Sequence, residues 1–327
     1  MQVEPVVFKL QKRLRMQLDA QKHYLLAVSG GADSLALAHG CAALARSGHG
    51  AYSVCHIEHG LRGAEALRDM QLVQRFCAEY GLPCYVEHVD VRALAAAEHL
   101  SVEDAARRLR YEALRRVAAQ VGAAAIVTAH HEGDQAETVL LKLLRGAGLD
   151  GLSGMRAQQG NILRPLLSLP RELLEQYCAA EQLEFCHDST NDDTAYTRNS
   201  VRKELLPLLA ERYNAEIVPA LARTALLLGE DADFLTQTAD AAYARLVTSA
   251  EDGLHIALKP LLAEHIAVRL RVLRRAYFEL GGSELSFERS RALAALCERR
   301  SGGRLIQLPG GITATIKNKQ IIFTRLS

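Results

Sequence analysis

Residues 25–37 read LLAVSGGADSLAL, with two glycines, two serines and an acid between an apolar run and resumed apolar periodicity. Gly30 and Gly31 let the backbone bend and approach a ligand with no Cβ in the way. A helix starting near Asp33 points its unpaired N–H groups back at the turn, so Ser29, Gly30, Gly31, Ala32, Asp33 and Ser34 form an anion-binding stretch. Gly-Gly alone would equally suit an ordinary strand–turn–helix link. The hydroxyls of Ser29 and Ser34 add donors, and an acid beside a phosphate calls for a bridging cation, so Asp33 implies Mg²⁺. No Lys follows the glycines, which separates this stretch from the G-x-x-x-x-G-K-[ST] phosphate loop.

A second reactive stretch is TAHHEGDQAETVLLKLLRGAGLDGLSGM, residues 128–155. Asp134 and Glu137 stand three apart at the start of a helix, so their carboxylates share a face beside His130. Acids in a first turn also suit the helix dipole. With no Lys nearby, the pair fits a cationic substrate or the deprotonation of an amine. ARRLRYEAL, 106–114, sets Arg107, Arg110 and Tyr111 on a helix. DSTNDDTAYTRNSVRKELLP, 188–207, gathers Asp188, Asn191, Arg198, Asn199 and Arg202. An Asx-rich capping loop accounts for the Asp and Asn residues there, but not for the arginines. His56 and His59 have the spacing of a metal pair, yet no further Cys/His cluster supports one.

These residues need elements to position them. Apolar segments at 23–28, 52–57, 84–90 and 124–129 read as strands, and helical patterns at about 33–46, 64–80, 102–121 and 134–145 alternate with them. That order predicts an α/β fold, a parallel sheet with helices on both faces. Ligands bind such sheets beyond the carboxyl ends of the strands, an edge that would carry Ser29–Ser34, His56–Arg62 and Thr128–Glu137. After Gly154 come a short strand at 161–167, a helix opened by Pro170 and a helix that Pro207 interrupts. A long helical stretch at 214–247 reads as a connector, followed by helices near 260–280 and 287–299 and short strands at 304–308, 312–316 and 320–325. The domains expected are 1–211, catalytic, and 212–327, a smaller helical and mixed domain for docking a partner.

Composition narrows the classes. At 327 residues, two domains are the natural expectation, and 49% apolar content supports sizeable cores. There is no run of 18 apolar residues and no signal pattern, so the chain reads as soluble and cytoplasmic, with no membrane partner. Seven scattered cysteines without a C-x-x-C read as reduced thiols, with no zinc and no iron–sulfur cluster. The net charge is only +1; from residue 211 onward 16 Lys+Arg face 13 Asp+Glu, which makes that part +3 and the rest −2. Nucleic-acid binding would therefore rest on clustered cations, for which Arg269, Arg271, Arg274, Arg275, Arg289 and Arg291 are the candidates.

S-G-G-A-D-S resembles the pyrophosphate loop of the ATP pyrophosphatase group, which cleaves ATP between its α and β phosphates. Six further signatures occur in family order: H-I-E-H-G-L-R, A-R-R-L-R-Y, A-H-H-E-G-D-Q-A-E-T, L-L-R-G-A-G-L-D-G-L-S-G-M, R-P-L-L and D-S-T-N…Y-T-R-N-S-V-R. Over most of residues 25–207 the chain thus resembles the tRNA(Ile)-lysidine synthetase family. SGGRLIQLPGG carries a weaker likeness near the C-terminus, and the chain looks like the short form without an extra C-terminal domain.

The resemblance implies that ATP adenylates the C-2 carbonyl oxygen of the cytidine at the first anticodon position of an isoleucine tRNA with a CAU anticodon. Free L-lysine then displaces AMP through its ε-amine. It also implies ATP and Mg²⁺ as the only cofactors, with Ser29–Ser34 on the phosphates and Asp33 on the metal. Asp134 would bind lysine, with Glu137 near the reacting amine and Arg110 near the phosphates or the activated base. Glu137 or His130 would take the proton. Arg198, Asn199, Arg202, Arg271, Arg274 and Arg275 are the tRNA-contact candidates, and a homodimer is compatible with all of this. The rivals are a tRNA thiolase, which would need a suitable cysteine pair, and a non-catalytic nucleotide- or RNA-binding module, which would carry a broken loop.

Overall fold

The computed structural model describes residues 5–61, 63–186, 197–298 and 305–325. Two compact units, Met1–Leu228 and Gly229–Ser327, divide within one long helix.

In the first unit, strands β1 (His23–Ala27), β2 (Ala51–Glu58), β3 (Cys84–His88), β4 (Ala125–Val127), β5 (Gln158–Gln159) and β6 (Ile162–Leu163) make one sheet in the order β3-β2-β1-β4-β6-β5. All neighbours are parallel except β5 and β6. The helices are α1 (Val6–Gln17), α2 (Ala32–Arg46), α3 (Ala64–Tyr80), α4 (Val91–Glu98), α5 (Val102–Gln120), α6 (Glu132–Leu144), α7 (Leu149–Leu152) and α8 (Arg171–Ala180). They realise the expected parallel α/β fold.

The helix after β1 is apolar nearly all round because it is covered on every side. Leu35, Ala36, Leu37, Ala38 and Cys41 are fully buried. They join Leu10 and Leu14 of α1 and Leu174 and Tyr177 of α8 in one core. A second core on Leu25, Cys55, Ile126 and Ile162 receives Tyr111, Leu114 and Val117 of α5. Ser101 caps α5, accepting the Asp104 N–H at 3.1 Å.

Several expectations needed correction. The strand expected at 161–167 is only two residues long, since Pro165 has no N–H to continue a ladder. Pro170 is the N-cap of α8 rather than its first helical residue. Helices α1 and α4 were not anticipated. Pro207 does not interrupt its helix: α9 (Thr197–Ser200) passes through a π-helical turn at Val201–Leu205 into α10 (Leu206–Arg212). The Leu206 N–H reaches the Val201 carbonyl, five residues back. Pro207 thereby falls in the first turn of α10, where a missing N–H is tolerated.

Helix α11 (Ile217–Leu246) contains the division at 228/229 and supplies Ala239, Ala242, Tyr243 and Leu246 to the core of the second unit. The stretch expected as one helix at 260–280 is α12 (Leu258–Ala263) and α13 (Ile266–Glu279), followed by α14 (Phe287–Glu298). A hairpin missed in the sequence, β7 (Val247–Ala250) and β8 (Gly253–Ala257), joins β9 (Leu305–Leu308), β10 (Ile312–Lys317) and β11 (Gln320–Arg325). Together they form an antiparallel sheet in the order β7-β8-β11-β10-β9. Among the described residues, no helix is long and apolar enough to cross a membrane.

Candidate active site

Strands β1, β4 and β6 are neighbours, so the turns at their carboxyl ends meet at one edge. The first is Ser29–Gly31. Gly30 has φ +98°, a conformation L side chains rarely adopt. Ser34 Oγ donates to Gly31 O at 2.9 Å and accepts from Ser29 N at 3.2 Å, folding the turn over the start of α2. From far along the chain, the Cys186 N–H donates to Gly30 O at 2.9 Å and holds the turn from behind. Asp33 sits in the first turn of α2. Its Oδ1 is buried without a hydrogen-bond partner among the described residues. Burial raises its pKa, against the opposing pull of His131 and Arg171.

The second turn leads from β4 into α6. His131, not His130, is its organising residue. It is 3% exposed and caps α6, its Nδ1 accepting the Gly133 N–H at 3.0 Å. A Cβ at Gly133 would lie 2.9 Å from His131 Cε1, so the ring folds back only over glycine. Since Nδ1 accepts, the ring proton belongs on Nε2. That nitrogen lies 3.7 Å from Asp33 Oδ2 and 3.5 Å from Asp134 Oδ2. Thus His131 bridges the phosphate-type turn to the acid pair. Asp134 Oδ2 also accepts the His131 N–H at 3.0 Å, closing a capping box. Burial raises the Asp134 pKa, but His131, His130 and Arg198 outweigh it and leave the group below its usual value.

The acid pair is not open to a cation in the way its sequence context suggested. Arg198 and Arg202 span both carboxylates. Arg198 Nε donates to Glu137 Oε2 at 2.7 Å, and Arg202 Nε donates to Glu137 Oε1. Their Nη2 groups reach Asp134 Oδ1 at 3.2 and 3.1 Å. Glu137 is 1% exposed. The arginines come from α9 and the π-helical turn, more than sixty residues on (|i−j| from 61 to 68). Asn199, between them in sequence, also has a partner. Asp188 and Asn191 lie outside the described residues, as does Arg62.

His130 meets Thr128 Oγ1 through Nδ1 at 2.8 Å. Burial, aided by the positive charge of Arg110, Arg164 and Arg198 and opposed by Asp134, pushes its pKa down to about 3. Arg110 is also lowered by burial. His56 is buried inside β2, its ring facing Val28 O at 2.9 Å.

In the second unit, Arg269 is a structural residue. It is 9% exposed and donates to Glu298, Leu262 O and Glu264 O. Arg271 and Arg275 are one turn apart on the helix face opposite the buried Val272, Leu273, Ala276 and Tyr277 side. Arg275 pairs with Asp240 and stacks 4.2 Å from the Tyr243 ring centroid, and Arg274 donates to Ser290 at 3.2 Å.

Comparison with known proteins adds to this geometry. The family model described as a PP-loop domain matches residues 4–209. The tRNA(Ile)-lysidine synthase of Geobacter sulfurreducens is 38% identical over 306 residues, covering 92% of this chain and 64% of that protein. The Clostridium tetani protein of the same name is 34% identical over 292 residues, covering 89% and 62%. That of Symbiobacterium thermophilum is 35% identical over 320 residues, covering 94% and 66%. The chain therefore spans somewhat under two thirds of the length of these relatives. Among solved structures, the U34-tRNA thiolase NcsA from Methanococcus maripaludis matches with TM-score 0.59 and 16% identity, covering 69% of this chain and 80% of that one. At that identity the likeness concerns the fold alone.

Proposed function

This chain belongs to the PP-loop domain family, and on that premise we propose that it ligates lysine to C-2 of the first anticodon cytidine of an isoleucine tRNA, with ATP cleaved to AMP and pyrophosphate. The carrying observation is the bridge from Asp33 through His131 to Asp134 at the sheet edge. It sets a phosphate-binding turn beside a carboxylate pair, the two halves that adenylation followed by amine attack requires. The likeness to proteins named tRNA(Ile)-lysidine synthase supports the same reading.

The N–H groups at the start of α2 and the hydroxyls of Ser29 and Ser34 hold the phosphates. A Mg²⁺ ion fits this edge: the unpartnered, buried Asp33 Oδ1 is a hard oxygen donor, and Mg²⁺ is usually held by one or two carboxylates together with substrate phosphates and water. When bound, it would offset charge as pyrophosphate leaves. Adenylation makes the C-2 oxygen a good leaving group. Arg198 and Arg202 take Asp134 Oδ1 and leave its Oδ2 clear of them, so Oδ2 is the oxygen that attracts the lysine ammonium, which must lose a proton before it attacks. With its pKa near 3, His130 is a poor acceptor for that proton, which favours Glu137, one of whose arginine bonds the amine would have to displace. Arg198 helps to hold Asp134 ionised, and the positive field of Arg198 and Arg202 lowers the proton affinity of an amine beside them. The unpaired bases of an anticodon loop can enter such an edge by stacking and edge contacts. Arg198, Asn199 and Arg202 near the site, and Arg271, Arg274 and Arg275 on α13, are the cations available for tRNA.

The test is incubation of the chain with ATP, Mg²⁺, labelled lysine and tRNA bearing a CAU anticodon. Label should enter that tRNA with one pyrophosphate released per lysine. Pyrophosphate release with no label transferred would refute lysine as the nucleophile.

A further inference from the structure

Outside the site already described, the first unit carries a cleft of about 520 Å³ between α3 and the stretch that follows α8. One wall is a face of α3, where Arg68, Gln71, Leu72 and Arg75 stand three and four residues apart. The other wall is Glu184 and Cys186. Leu72 and Asp69 are buried and close the floor. The Cys186 thiol donates to Asp69, and burial together with that hydrogen bond pushes it up to about 11. At neutral pH it is therefore an uncharged lining group and not a nucleophile. Cys186 also joins the cleft to the active-site edge, since its N–H donates to Gly30 O at 2.9 Å. From the α3 side, a Cβ on Gly30 would meet Val73 and Asp69 at 3.5 and 3.6 Å. The cleft lies directly behind the phosphate turn.

The two arginines at its rim are only loosely engaged. Arg68 lies 3.9 Å from Glu65 and Arg75 lies 3.9 Å from Glu184, with the arginine side chains 73% and 63% exposed. Those distances exceed a hydrogen bond, and exposed pairs of this kind contribute little, so an incoming anion displaces them readily. Seven residues of helix set the two arginines about 10 Å apart along the axis. That spacing suits successive charges of a polyanion better than one small anion. We infer that the cleft grips the sugar–phosphate backbone of the RNA substrate, with Arg68 and Arg75 on two of its phosphates, an assignment that rests on the tRNA reading given above. An RNA whose unpaired base enters the sheet edge carries the neighbouring nucleotides past the phosphate turn, where this cleft opens. The side chains of Gln71 and Glu184 offer acceptors to a 2′-hydroxyl. In a chain of net charge +1, RNA must be held by such local cations.

The experiment follows binding of fluorescently labelled tRNA bearing a CAU anticodon by anisotropy across a salt titration, with no lysine present. It uses the full chain, the paired variants Arg68→Ala with Arg75→Ala and Arg68→Lys with Arg75→Lys, and the single variant Glu184→Gln. The double alanine variant should raise the Kd roughly tenfold at low salt and reduce the salt slope by about 0.9 for each lost phosphate. The lysine pair, which keeps both charges, should recover most of that loss. Glu184→Gln should tighten binding, because it clears a like charge from the path of the phosphates and releases Arg75; an ion pair with a purely structural role would not do this. Thermal unfolding should be unmoved in all three, since the side chains are exposed. Unchanged affinity and slope in the double alanine variant would overturn the assignment. So would weaker tRNA binding accompanied by an equal loss of ATP affinity, which would point to a damaged phosphate turn. Loss of inorganic phosphate binding with tRNA binding intact would overturn it in favour of a small-anion site. A wild-type chain with no affinity for this tRNA would instead refute the tRNA reading, so the two failures are distinct.

Discussion

Glu137→Gln removes one negative charge from a buried cluster of two carboxylates and two guanidiniums. Glu137 accepts the Nε donors of both Arg198 and Arg202. Glutamine keeps one acceptor but turns its amide donors toward the other arginine. Breaking a fully buried ion pair costs about 3–5 kcal/mol. Here the arginine side chains are 28% and 27% exposed, and each keeps a bond to Asp134 Oδ1. Screening and that shared partner reduce the expected loss to about 2 kcal/mol. For a unit of some two hundred residues, this lowers Tm by roughly 4–8 °C. Arg202→Met alone should also destabilise, since it strands part of the negative charge. The double variant should cost less than the sum by about 1 kcal/mol or more, because the second change removes the charge the first left unpaired. Urea and thermal unfolding of the four proteins, followed by circular dichroism, measure this coupling. Additivity within about 0.5 kcal/mol would refute the claim that the cluster acts as one electrostatic unit.

The Asp33→Asn variant should lose pyrophosphate release while Tm holds or rises: burial raises the folded pKa of Asp33, so its ionised form at neutral pH is a cost to the fold. A Tm drop of more than about 3 °C would contradict this. For His130 the folded pKa is depressed to about 3, below the unfolded value. Its contribution is thus present above about pH 6.5 and is lost as pH falls toward 3; His130→Asn should flatten the stability–pH curve in that window, and an unchanged curve would count against the burial of a neutral ring. Replacing Arg271, Arg274 and Arg275 together by Ala should weaken tRNA binding and reduce its salt slope by roughly one unit per lost phosphate contact, with ATP affinity unmoved. Normal tRNA binding across a salt titration would rule out that face of α13.

Local signals marked the loop after β1 and the acids after β4, because glycine, serine and first-turn carboxylates act through their own backbone. Strand and helix alternation was legible for the same reason, each element burying a face of matching period. What stayed hidden were pairings between distant segments. In A-H-H-E-G-D the two histidines are equivalent on paper. Only the fold of Gly133 under one ring makes His131 the bridge and leaves His130 behind it. Arg198 and Arg202 gave no local hint of the acid pair, since sequence separation carries no distance. Arg164 read as one more letter of R-P-L-L, and its burial shows only when β6 is laid beside β4. The β7–β8 hairpin was missed because Val-Thr-Ser-Ala follows a thirty-residue helix with no proline between.

The hydrogen bond from the Cys186 amide to the Gly30 carbonyl ties the phosphate turn to a residue 156 positions away in the chain. Whatever stiffens the turn also keeps that amide closed, so binding at the turn and solvent exchange at Cys186 are two readings of one equilibrium. If ATP binds at the turn as proposed, deuterium uptake at this single position should fall on adding it, with no label, no tRNA and no turnover.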